Sequence, residues 1–86
     1  MPEICRFYGI VIKMYFGDDN PPHFHAQYGD TEALIDIRHV AVFAGALPGR
    51  ALGLVVEWTW LHRDELIALW DKARRCEPLN RIDPLA

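Results

Sequence analysis

The sequence predicts an α+β fold: a four-stranded antiparallel sheet followed by one long C-terminal helix packed on one face. Three observations carry that prediction. Apolar residues alternate along the first half of the chain. They recur at helical spacing along the second half. Gly, Asp and Pro punctuate the element boundaries. The length of 86 residues supports a single domain over 1–86, since it can build one core and not two.

Strand one is expected over 6–16, a run rich in β-branched and aromatic residues. Its even positions, Ile10, Ile12, Met14 and Phe16, should face the core. Gly17-Asp18-Asp19-Asn20-Pro21-Pro22 ends it, because the prolines cannot donate to a ladder. Strands over 23–28 and 31–37 flank Gly29-Asp30, a dipeptide suited to a two-residue hairpin. The register follows by counting outward from that turn. Phe24 opposes Ile35 and Ala26 opposes Ala33 on the core face. His23 opposes Asp36, and His25 opposes Leu34, on the other face. A fourth strand over 40–46 places Val40, Val42 and Ala44 toward the core and Phe43 near Leu34.

From Pro48 the period becomes helical, over 48–75, and the tail 76–86 should be extended. A continuous helix of that length would span ~40 Å, whereas a four-stranded sheet is only ~20 Å wide. Its far end carries Leu66, Leu69 and Trp70, with Val56, Trp60 and Ile67 on the back. Such an apolar overhang predicts either a homodimer or a break near His62-Arg63-Asp64. Val56, Trp60, Ile67 and Trp70 are the interface candidates.

The bulk composition narrows function by exclusion. The chain is 51% hydrophobic and carries a net charge of −3. That implies a packed core with apolar surface to spare. It also disfavours binding to phosphate backbones, which needs a basic face. No apolar run reaches the ~18 residues of a membrane span. Two separate cysteines, Cys5 and Cys76, and no signal-like start point to the cytoplasm.

His23 and His25 lie two apart on a strand, so both rings point the same way, ~7 Å apart at Cα. With Asp36 opposite, they could hold a divalent metal, Asp36 ligating or orienting a ring; Asp18 and Asp19 are nearby in the turn. No other cofactor is indicated. The same His23, His25 and Asp36 could instead act as general base and acid in phosphodiester cleavage. Tyr28, Lys13 or Arg6 would then stabilise charge. The simpler account, half-buried strand histidines hydrogen-bonded across the hairpin, outranks both chemistries. Glu57, His62 and Glu65 could form a second metal group, but solvent-exposed pairs on a helix edge explain them better.

Phe7-Tyr8-Gly9-Ile10, Asn20-Pro21-Pro22-His23-Phe24-His25-Ala26 and Glu57-Trp58 followed by Leu61-His62-Arg63-Asp64-Glu65-Leu66 resemble the domain-of-unknown-function family 4160. The resemblance covers nearly the whole chain. It departs at Arg38-His39-Val40-Ala41-Val42, where the family shows a polar, Gly-containing turn. The resemblance implies a prokaryotic protein encoded beside a short protein of family 2442, the pair being regarded as a toxin–antitoxin-like module. It carries over no catalytic residue. The expectation is thus an interaction module working as a homodimer or in complex with a small protein encoded nearby. The alternative is a small histidine- or metal-dependent ribonuclease-type toxin.

Overall fold

The computed structural model describes residues 2–86. Five strands form one antiparallel meander in the order β1 (Glu3–Phe7), β2 (Ile10–Lys13), β3 (His23–Tyr28), β4 (Thr31–Asp36) and β5 (Ala41–Gly45). Two helices follow, α1 (Gly49–Leu61) and α2 (Arg63–Arg74). The α+β class and the antiparallel sheet agree with the sequence; the strand and helix counts do not.

The single strand expected over 6–16 is a hairpin. Tyr8 and Gly9 take φ of 48° and 79°, which turns the chain between β1 and β2. Asn or Gly usually announces such a turn, and an aromatic followed by one glycine reads as strand. Ile10, Ile12 and Met14 are buried as expected, whereas Phe16 lies past the strand and is exposed.

The β3–β4 hairpin has the expected register, from Tyr28 opposite Thr31 out to His23 opposite Asp36. Phe24, Ala26, Ala33 and Ile35 enter the core. The β4–β5 pairing shifts between Leu34 and Ile35, so Phe43 is an extra residue in β5. That bulge breaks the alternation beyond Val42, and Ala44 is exposed rather than core-facing.

The long helix breaks. His62 leaves helical geometry at φ −121° and ψ 22°, between α1 and α2. Its N–H still reaches the carbonyls of Trp58 and Thr59, and its own carbonyl accepts from Leu66. Beyond the break the apolar residues expected to overhang are in the core: Leu66, Leu69, Trp70 and Ala73 are all buried. Trp70, an interface candidate by sequence, is therefore a core residue at 2% exposure. Trp60 is exposed at 59%, and Val56 and Ile67 are half-buried.

Trp58 centres the layer between sheet and helices, edge-on to Phe24 with centroids 5.7 Å apart and tilted against Phe7 at 5.4 Å. The tail closes this layer. Ile82 is buried and donates its N–H to Ile4 O at 2.9 Å, while Trp58 Nε1 donates to Asp83 O at 2.8 Å. No helix among the described residues is long and apolar enough to cross a membrane.

Candidate functional site

The link between β2 and β3 builds the site. Gly17 adopts φ 67° and donates its N–H to Ala73 O of α2 at 3.1 Å, which ties the turn to the helix. Asp18 follows. Its Oδ1 accepts from the Asp19 N–H at 3.2 Å, so Oδ2 is left to face the histidines. Asp18 Oδ2 lies 3.0 Å from His23 Nε2 and 3.5 Å from His25 Nε2. One ligating atom from each of Asp18, His23 and His25 lies within 4.8 Å of the others.

Strand alternation places the two rings together, and their neighbours hold them. His23 Nδ1 stands 2.7 Å from Pro21 O. A carbonyl can only accept, so Nδ1 carries the proton and donates it. In the neutral ring Nε2 then presents its lone pair to Asp18. The His23 ring packs against Phe43 and Trp70, each at 5.2 Å between centroids, and is only 5% exposed. Tyr15 covers His25 edge-on at 4.4 Å. His25 Nδ1 is buried without a hydrogen-bond partner among the described residues; Glu32 Oε2 stands 3.6 Å away.

Asp36 sits across from His23 in the register but is not part of the cluster. Its Oδ1 accepts from the N–H groups of Arg38 and His39 at 2.8 and 3.2 Å, and its Oδ2 meets His39 Nδ1 at 3.0 Å. The carboxylate is used up in closing the β4–β5 turn. Burial alone would raise its pKa; the His39 ring and these two N–H groups outweigh burial and hold it below the usual value. The carboxylate that stands against the two histidines is thus Asp18 and not Asp36. Sequence reasoning had Asp18 only as a nearby turn residue, because nothing local reveals that the turn folds back over β3.

The other candidates lie elsewhere. Lys13 is beside His25 in the register, but its Nζ donates to Gln27 Oε1 at 3.1 Å. Arg6 pairs with Glu3 at 2.7 Å, and Tyr28 ends β3 away from the histidines. His62 Nδ1 meets Glu65 at 2.8 Å, an i,i+3 pair, and Glu57 is exposed without joining it.

The two sheet edges differ. The tail covers β1 through Ile82 and through Arg81, which pairs with Glu3 Oε2 at 3.0 Å. Among the described residues no strand pairs with the outer edge of β5, whose residues Ala-Val-Phe-Ala-Gly are uncharged and mostly exposed, Phe43 at 45%. Trp60 and Leu61, at 59% and 64%, form a second exposed apolar spot at the end of α1.

Among protein families, the model described as a domain of unknown function (DUF4160) matches residues 9–71. The matched segment holds Asp18, His23, His25 and Trp70 and stops short of β1 and the tail. No curated protein and no solved structure matches the chain.

Proposed function

This chain belongs to the domain-of-unknown-function family 4160, and we propose that it is a small interaction module, one half of a toxin–antitoxin-like pair. It works in the cytoplasm through the β5 edge of its sheet. One observation carries the reading: the chain's own tail meets one edge strand, β1, at Glu3 and Ile4, while among the described residues no strand pairs with the other edge, β5, which is uncharged and apolar. Proteins protect free edges with charge, proline or cover, because an open ladder pairs with whatever strand it meets. Antiparallel pairing of β5 with a second copy gives a closed two-fold dimer, since each copy has one free edge. A strand of the neighbouring gene's product could take the same place.

The test is Ala44→Lys, at an exposed β5 position. Sedimentation should find the unaltered chain dimeric, or complexed with the neighbouring protein, and the variant monomeric with an unchanged melting curve. A chain that is monomeric and ignores its genomic neighbour's product ends this reading.

A second reading, a ribonuclease-type toxin, rests on the convergence of His23 and His25 on Asp18. Here Asp18→Asn should abolish growth inhibition with the fold retained. Asp36→Asn should leave inhibition in place, because that carboxylate serves the turn.

A further inference from the structure

We propose that Asp18, His23 and His25 form a binding site for a first-row transition-metal dication of the zinc type. Spacing supports it first. Donors ~2.0–2.1 Å from a tetrahedral zinc stand about 3.3 Å apart. The two nitrogen-to-oxygen separations, 3.0 and 3.5 Å, bracket that value.

Polarity supports it second. The Pro21 carbonyl fixes the His23 proton on Nδ1, so Nε2 and Asp18 Oδ2 face each other as two acceptors at 3.0 Å. Their approach calls for a positive species between them. A metal ion supplies it while leaving the buried imidazole neutral, the form in which histidine ligates. A proton on Nε2 would bridge the same two atoms, and the metal titration below separates the two cases.

The outer contacts support it third. Ligating histidines donate their remaining N–H to a carbonyl or carboxylate, which fixes tautomer and ring orientation. His23 does so to Pro21 O. His25 Nδ1 is buried and unpartnered among the described residues, with Glu32 Oε2 at 3.6 Å on that side. Ligation through His25 Nε2 places the proton on Nδ1, and a small turn of the Glu32 side chain closes that bond. Glu32 is then a positioning residue.

The donor set selects the ion. Two imidazoles and one carboxylate suit zinc or a neighbouring dication, whereas magnesium and calcium ask for oxygen ligands. Three protein ligands leave a coordination position free for water or an anionic group. The inference stands apart from the dimer reading: a metal-loaded monomer and a metal-free dimer are separate outcomes.

The test uses the full chain purified without a histidine tag and stripped with a chelator. Zn²⁺ is titrated by calorimetry, and Co²⁺ by visible absorption. The expected result is one ion per chain. Asp18→Asn and His25→Gln should each weaken binding more than tenfold, and Glu32→Gln about tenfold. His39→Ala and His62→Gln should leave affinity unchanged. Circular dichroism and melting confirm that each variant is folded; Asp18→Asn keeps the test sharp if changes at buried His23 unfold the chain. No saturable binding, or binding that survives both Asp18→Asn and His25→Gln, overturns the proposal. So does binding lost only with His62→Gln, which would move the site to α1 and Glu65.

Discussion

Asp36 is the residue whose role differs most from its position. It stands opposite His23 in the ladder, yet it spends both oxygens on the turn that follows. Asp36→Ala should cost about 1–2 kcal/mol, because two N–H groups lose a charged acceptor. The pH dependence has a definite sign. The folded carboxyl lies below its ordinary value. Its stabilisation is therefore present above the unfolded pKa and is lost as pH falls through the folded one. The gap between Asp36→Ala and the unaltered chain should be full at neutral pH and shrink below about pH 4. Urea midpoints at three or four pH values measure this, and a constant gap removes the assignment. Trp70 is the opposite case: it looked like surface and is core. Trp70→Ala should cost about 3–5 kcal/mol by cavity formation and loosen the packing on His23. A surface or interface role would give less than ~0.5 kcal/mol in the isolated chain.

Elements were legible where a local rule decided them and not where the rest of the fold did. The β3–β4 register followed from Gly29-Asp30 and side-chain alternation alone. The helix break was legible only as one of two answers to a length problem, a dimer being the other, and the single long helix expected over 48–75 is two helices. The Tyr8-Gly9 turn was not legible, because a tyrosine at φ 48° has no propensity signal. Nor was the Phe43 bulge, which depends on how β5 leaves the Arg38–Val40 turn. Two of the three candidate site residues were legible for the same reason. His23 and His25 share a strand face by alternation, whereas Asp18 arrives through a turn pinned to α2. Gly45 shows how tightly an element end can be specified. It holds φ 73°, and a Cβ there would strike the Glu32 carbonyl oxygen. Gly45→Ala should cost about 2–3 kcal/mol, from strain and backbone displacement together. Gly29 has a similar φ of 58° but nothing within 4 Å, so Gly29→Ala should cost only about 1 kcal/mol. Equal losses in chemical denaturation would mean that the close approach at Gly45 adds nothing to backbone strain.

At the scale of the whole molecule, the tail bears on the assembly proposed for the sheet edge. Within residues 79–86, Arg81 and Ile82 meet β1 at Glu3 and Ile4, Ile82 is buried in the core, and Leu79 and Leu85 pack against it. The tail residues also supply the acceptor for Trp58 Nε1. Removing them costs the burial of three aliphatic side chains, at roughly 1.5–3 kcal/mol for a fully buried one and less for the two half-buried leucines. It also leaves the Trp58 N–H without its partner. A chain ending at Pro78 should therefore lose several kcal/mol, a large share of a small domain's stability. It should also change how copies associate. If β5 pairs as proposed, the tail contacts at Glu3 and Ile4 keep β1 out of the pairing, which then closes at two copies. Without the tail both β1 and β5 are open, and β1 of one copy can pair with β5 of the next. Such head-to-tail contact does not close and grows into larger species. Light scattering should find the full chain limited to a dimer and the shortened chain forming a concentration-dependent ladder of oligomers. Ala44→Lys in the shortened chain should suppress that growth, because it removes one of the two edges each step needs. A shortened chain that is merely less stable, with no growth in size, would mean that the tail serves the core and not the edge.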